Sequence, residues 1–387
     1  MKQAIASLGQ SLRPQPTSAF AICNHATCNQ QSGVFIDRIK IKAPCTHRPE
    51  GKVLTYFDEG LGVEITVGAT AVKRALHDGY DTMQVRSKEF SPDGSLAYLI
   101  EIEGCPPKVL QRHNLFGHAV LQDYVYEILD RVTRRLGIEP SDDEREEWRR
   151  GGVGITEIHL TANFTCPREY VVPIIDAVDQ NNRQGKQRQH RTCITLGFTP
   201  KRRSKYHTLT IYDKYVELLE KFKNPGPYQT KVLAEAAQGI RAELKLFSME
   251  LAQLKLQYVM RWADVDVAAL FFEFFAKYRI VYSIQTAPAH KLLNRLTTKE
   301  RNVYRLWLGG IDVKDQFASR TTALKYVRVL QQKLGVNVGA ARRPERGAVV
   351  DLKQVFSPGN VRPVPVWAFC TPYYSPPVNR TDSSHAE

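Results

Sequence analysis

Residues 153–164 repeat with a period of two: Val153, Ile155, Glu157, His159 and Thr161 fall on one side, and Ile158, Leu160 and Ala162 on the other. That is strand periodicity, and it sets Glu157 and His159 next to each other on one face. Residues 239–247 repeat the arrangement, with Ile240, Ala242, Leu244 and Leu246 read as inward and Arg241, Glu243 and Lys245 as outward. Val34–Ile41 and Leu96–Glu103 read as further strands. Between them, His118–Leu136 changes period: Leu121, Tyr124, Ile128, Val132 and Leu136 recur at helical spacing, and Gly137 supplies a stop. Strands and helices interleave without a regular βαβ order, so the expected class is α+β, an antiparallel sheet core flanked by helices.

Charge narrows the partners. Lys and Arg outnumber Asp and Glu by 54 to 40, a net charge of +14, which draws polyanions and makes nucleic acid the first candidate; the plain alternative is a basic surface that serves solubility. The most basic stretch runs from Arg183 to Lys205. It contains Arg188, Arg191, Lys201, Arg202, Arg203 and Lys205, and no acid occurs between Asp179 and Asp213. Arg191–Phe198 and Tyr206–Tyr212 read as two strands joined by a basic turn over 199–205, well placed for phosphates. The seven cysteines are odd in number and scattered, which fits a reducing cytoplasm. There is no apolar run of membrane-spanning length, and the first residues are too polar for a signal peptide. Cys23, His25, Cys28, Cys45 and His47 offer zinc ligands, but their spacings lack the paired short knuckles of zinc sites.

Four regions are expected. Residues 1–32 form a polar, flexible extension, 33–250 the catalytic core, 251–356 a mostly helical C-terminal region, and 357–387 a Pro-rich, partly disordered tail. Ser141–Arg150 mixes acids and Arg in the manner of a solvated helix face or loop. Thr297–Glu300 has capping-box form and opens a helix through Leu308, ended by Gly309-Gly310. Residues 313–335 suggest two helices with a break near Ser319, the second carrying Arg320, Lys325 and Arg328. They suit either a helix-turn-helix or an ordinary helical hairpin.

Two constellations carry chemistry. In Ile211-Tyr-Asp-Lys-Tyr-Val-Glu-Leu218 a strand ends at Tyr212 and a helix begins. A phenol at such a junction can reach a substrate while the sheet holds its backbone, and Lys214 beside it can favour the phenolate or hold a phosphate. A tyrosine nucleophile also stores phosphodiester energy in a covalent link, so a cut strand can be rejoined. The second constellation is Glu101 or Glu103, His159 and Glu243, whose imidazole and carboxylates suit Mg2+ or Mn2+. No P-loop, GxSxG or HExxH motif is present, which disfavours ATP-driven and several hydrolytic chemistries.

Taken in order, several strings resemble the gene II replication initiators of filamentous bacteriophages, relatives of the HUH-type rolling-circle nickases. They are Ile102–Gly117 with its Lys-Val-Leu-Gln-Arg-His-Asn-Leu-Phe-Gly segment, Ile155–Thr161, Tyr206–Leu218, Arg241–Lys245 and Leu306–Asp312. The resemblance spans roughly residues 34–340. It implies a site-specific, metal-dependent nickase of the host bacterial cytoplasm that attacks an origin phosphodiester with Tyr212, keeps the 5′ phosphate on the tyrosine, and later reseals the displaced strand. The implied partners are double-stranded replicative-form DNA, the displaced single strand and host replication proteins; whether the protein acts as an oligomer stays open. It carries over to Tyr212, Lys214, Glu101, His159 and Glu243. It departs from the two-histidine nickases, because Glu157-x-His159 stands where they place His-x-His. The competing reading is a non-catalytic origin-binding protein or repressor that uses residues 313–335 as its reading head.

Overall fold

The computed structural model describes residues 33–58, 60, 63–77, 81–182, 185–198, 204–280, 283–285, 293–308, 311–334, 338–339, 349–369 and 371–376. Thirteen strands occur among them: β1 (Val34–His47), β2 (Val53–Asp58), β3 (Val63–Ala69), β4 (Val72–His77), β5 (Asp81–Phe90), β6 (Ala97–Gly104), β7 (Gly154–Thr165), β8 (Lys186–His190), β9 (Cys193–Leu196), β10 (His207–Tyr212), β11 (Gly239–Phe247), β12 (Ser283–Gln285) and β13 (Val349–Asp351). Nine of them pair, all antiparallel, in the order β4-β5-β6-β1-β7-β11-β10-β9-β8; β2–β3 and β12–β13 form separate two-stranded ladders. The protein is thus α+β with a large antiparallel sheet and helices beyond it in sequence, as the mixed periodicities imply.

Alternation sorts the two faces of this sheet. Ile39, Ile41, Ile158, Leu160, Ala242, Leu244, Leu209 and Ile211 are fully buried and share one continuous core with the helices Leu121–Leu136 and Val267–Lys277. Helix 121–136 ends where the sequence says it should, because Gly137 takes the left-handed backbone (φ 68°) that closes a helix without steric cost. Ser141–Arg150 contains the helix Asp142–Arg149, opened by a Ser141–Glu144 capping box and anchored by buried Trp148.

The opposite face carries the polar residues of the same strands. A register shift between Ile36 and Arg38 leaves Asp37 as an extra residue in β1, a bulge that turns its carboxylate into the protein. A second apolar cluster, including Leu115, Phe116, Leu218, Val232 and Leu233, covers the Tyr212 end of this face. Val364, Ala368 and Tyr374 from the Pro-rich C-terminal segment complete it.

A third cluster around Val303, Trp307, Ala323 and Leu330 joins the helices Thr298–Leu308 and Arg320–Leu334. The expected capping box is present: Thr297 Oγ1 accepts from the Glu300 amide, and the Thr297 amide donates to Glu300 Oε2. Of the two helices expected in 313–335, the first is a single 3-10 turn, Val313–Gln316. Residues 1–32, hence Cys23, His25 and Cys28, lie outside the described residues, as do Gly309-Gly310 and the final 377–387. Cys45 is buried in the main core, and His47 hydrogen-bonds Ser87. No described helix is long and apolar enough to cross a membrane.

Candidate active site

The polar face of β1, β7, β11 and β10 floors a cleft of about 330 Å3. His159 on β7 and Glu243 on β11 lie there because both strands present alternate residues to that side, and β10 brings Tyr212 level with Arg241. The His159 imidazole is held between two carboxylates, with Nε2 2.7 Å from Glu157 Oε1 and Nδ1 2.9 Å from Glu243 Oε1. Burial alone lowers a histidine pKa, but the hydrogen bonds to Glu157 and Glu243 outweigh it, and the imidazole is held protonated above its ordinary range. The Glu243 carboxyl is held well below the usual range, because Lys245 at 3.2 Å, His159 and Arg241 outweigh its burial.

Tyr212 ends β10, and Asp213 caps the helix Lys214–Lys221 by accepting from the Val216 amide at 3.3 Å. The Tyr212 ring is half-buried. Its hydroxyl donates to Glu243 Oε2 at 3.2 Å and accepts from the Arg241 guanidinium at 3.3 Å. Burial pushes the phenol pKa well above its ordinary value, and Arg241 pulls in the opposite direction.

Arg241 is the residue most misplaced by sequence reasoning. Alternation reads Arg241 and Glu243 as outward-facing, yet Arg241 is 0% and Glu243 8% exposed. The outward side of β11 is covered by the loop after the helix Pro106–Gln111. Arg241 donates to Asn163 Oδ1 at 2.9 Å and to the Asn114 and Leu115 carbonyls. The cation beside the phenol is therefore Arg241. Lys214 is fully buried and donates to Asn114 Oδ1 at 2.8 Å and Glu217 Oε2 at 2.7 Å, with its Nζ 5.9 Å from the Tyr212 ring centroid. Burial and the charge of Arg241 lower its pKa to about 8. Glu217, half-buried, is held at about 2 by Lys214 and Lys221.

Asn114 links the parts: its amide donates to Asp37 Oδ1 at 2.8 Å, its side-chain oxygen accepts from Lys214, and its carbonyl accepts from Arg241. No period announces Asp37 or Asn114, since one sits in a bulge and the other in a loop. The quoted His-Asn-Leu-Phe string was the available signal.

Glu101 is not brought to His159. It lies opposite Lys42 on β1, whereas His159 lies opposite Arg38, four residues or about 13 Å away along that strand. It pairs instead with Lys40 at 3.5 Å and Arg86 at 3.4 Å. Glu103 does line the cleft, held by Arg38 at 2.5 Å. Among the described residues no three His, Cys, Asp or Glu side chains converge as a ready-made metal cluster. The donor chemistry still suits a hard divalent cation. The cleft collects Asp37, Glu103, Glu157, Glu217 and Glu243 against Arg38, Lys108 and Lys245, an acidic excess in a chain of net charge +14.

The expected phosphate-binding residues divide. Arg188 is turned inward to Asp176 at 2.8 Å and to backbone carbonyls, so it braces the β8 turn. Arg191 and Lys205 are exposed, as are Arg320 and Lys325 on helix 320–334, whereas Lys201, Arg202 and Arg203 lie outside the described residues.

Fold and site define an α+β protein in which a strand-terminal tyrosine shares a polar cleft with a carboxylate-flanked histidine. The chain belongs to the phage replication-associated protein family of the gene II type: the family model for the N-terminal part of that protein matches residues 35–265, which include the cleft and almost all of the large sheet. The replication-associated gene II protein of Enterobacteria phage I2-2 is 24% identical over 331 residues, covering 83% of this chain and 93% of that protein. No solved structure matches.

Proposed function

We propose that this protein initiates rolling-circle replication of a phage genome by nicking one strand of the replicative form at its origin and rejoining the displaced strand. The observation that carries the reading is the Tyr212 hydroxyl, set on the cleft between Arg241 and Glu243 within a family tied to replication. In the reaction the Tyr212 oxygen, its proton passing to Glu243, attacks the scissile phosphorus, the bond to O3′ breaks, and the departing oxygen takes a proton from solvent, leaving a 5′-phosphotyrosine and a free 3′-OH. The phenol proton is already shared with Glu243 Oε2, which points an oxygen lone pair away from that carboxylate. Arg241 offsets the charge of the phenolate as it forms. Lys245, Arg38 and Lys108 supply cations along the cleft for the flanking phosphates. Attack by the 3′-OH on the phosphotyrosine reverses the step and reseals the strand.

Mg2+ or Mn2+ would be held by His159 and Glu243 with Glu157 close by, taking the place of the proton now shared among them, and would neutralise the non-bridging phosphate oxygens. Glu101 stays outside this set. Lys214 acts from behind, fixing Asn114 and the start of the nucleophile helix. The residues after 250 are proposed as an accessory region whose helix 320–334 meets origin DNA through Arg320 and Lys325. Host replication proteins and the displaced single strand complete the partners, in the bacterial cytoplasm.

The deciding experiment incubates the protein with supercoiled plasmid bearing its own phage origin, with and without Mg2+ or Mn2+, beside Tyr212→Phe. Metal-dependent open circles with covalently attached protein, absent in Tyr212→Phe, are expected. A wild type that binds the origin, even with chelator present, yet never cuts would make the protein a repressor or origin-binding factor instead.

A further inference from the structure

The cleft has a neighbour. Lys108 lines the cleft, and the following turn, residues 109–112, lines a second cavity of about 540 Å3; Glu217 likewise lines the cleft, and Phe222, at the end of the same helix, lines the cavity. The two hollows thus share two walls. The wall opposite is aromatic and comes from distant parts of the chain: Tyr228 at the start of the helix Pro227–Ala236 and Tyr373 from the C-terminal segment stack nearly parallel, at 9°. Tyr373 is held there by its carbonyl, 2.9 Å from His113 Nε2, and His113 adjoins the Asn114 that serves the cleft.

Polar groups accompany the rings. Gln229 and Arg112 line the cavity beside them. A hollow of this size that joins aromatic faces to an amide and a guanidinium suits a flat ligand with hydrogen-bonding edges.

We infer that this cavity binds one nucleobase of the single strand being cut, close beside the scissile phosphate; the inference rests on the nickase reading and adds a base-reading element to it. A nucleobase is flat, stacks on Tyr and Phe rings, and offers donors and acceptors to an amide and a guanidinium. Glu217 and Phe222 stand on one short helix, one in each hollow, so the base held here is a near neighbour of the scissile phosphate. Because Tyr373 forms one wall, the C-terminal segment is a component of substrate recognition.

The test uses the full chain carrying Tyr212→Phe, so that binding is read without cutting. Origin single strands carry 2-aminopurine at one position at a time, walked across the nick. Fluorescence quenching on binding is expected to peak at one position near the scissile phosphate. An abasic residue at that position should weaken binding about tenfold, as expected for one stacked base. Tyr373→Ala and Tyr228→Ala should each flatten the peak without weakening binding of strands that are abasic there. Uniform quenching along the strand, or a peak untouched by both substitutions, overturns the pocket even if wild-type protein cuts normally. A peak that behaves as expected, beside a wild type that never forms covalent adducts, upholds the pocket and sinks the nickase reading instead.

Discussion

The two faces of the central sheet are made by the same strands and held by opposite means. On one face Ile39, Leu160, Leu244 and Ile211 are packed without exposed surface against helical side chains, and what holds them is removal of apolar area from water, which needs no particular partner. On the other face Arg241, Glu243 and His159 are nearly as buried, yet each is held by named atoms on Asn114, Asn163, Tyr212 and Glu157. A packed apolar face tolerates approximate replacement. A buried polar face fails when one partner is missing, because the group left behind keeps its desolvation cost.

The sharpest break in that comparison is Arg241→Leu. Asn163 Oδ1 and the Asn114 carbonyl lose their donor, the Leu115 carbonyl is left with Asn163 Nδ2 alone, and the phenol loses its cation. We expect about 3–5 kcal/mol of lost stability in chemical denaturation, from the stranded acceptors, together with loss of nicking. A loss under about 1 kcal/mol would mean that the polar face is held by its surroundings and not by this hub.

Leu160→Ala probes the other face. Removing a fully buried side chain from a central strand should cost about 2–4 kcal/mol, but each molecule that stays folded should still form adducts at the wild-type rate. A fall in specific adduct formation as large as that of Arg241→Leu would show that the faces are not separable.

How far the sequence could be read follows from the same division. Period-two alternation locates β7 to within a residue and β11 with the bounds 239–247, and the helical stripe ended by Gly137 locates 121–136. These signals come from apolar burial, which repeats along the chain. Alternation also separated Arg241 and Glu243 from their apolar neighbours, but nothing local says whether the polar side meets water or a loop from far earlier in the chain. Asp37 sits in a bulge and Asn114 in a loop, so their meeting with Lys214 is a tertiary fact. The strands between 53 and 90 and the helix Arg168–Asn181, with Pro173 inside it, give no such signal, since neither has a clean period set off by turns. A strand end and a strand face are local features, and they place Tyr212 and His159, whereas no local feature gives register, and Glu101 falls opposite Lys42, away from His159.

A subtler contrast is in pH. Lys214 has its pKa lowered to about 8 in the folded protein, whereas in the unfolded chain it returns to about 10.5. Between those values the unfolded state binds the extra proton, so the contribution of Lys214 to stability rises with pH across that window and is least favourable below it. Lys214→Met should remove this rise, so the wild type should gain on the variant as unfolding is followed from about pH 8 to about pH 10. A difference that stays constant over the window would mean that Lys214 keeps its ordinary titration. The apolar-face variant Leu160→Ala should show no such pH dependence relative to wild type.

The smallest effect isolates partner satisfaction from every other feature of the polar face. Thr195 Oγ1 and Thr210 Oγ1 lie 3.0 Å apart on adjacent strands, both buried, with Thr210 opposite Glu243 in the register. Valine matches threonine in shape, so Thr210→Val removes the hydroxyl and little else, leaving Thr195 to face an apolar methyl. That single change should cost about 1–2 kcal/mol. Replacing both residues strands no polar group and favours strand packing, so the double variant should recover most of the loss, with a coupling near about 1 kcal/mol. If the two single losses simply add, the hydroxyls are solvated independently of each other, and the polar face near β9 behaves as a wet surface. If the double variant is at least as stable as wild type, the face is dry there, and the polar character retained beside Glu243 is better explained by what the cleft does than by what the fold requires.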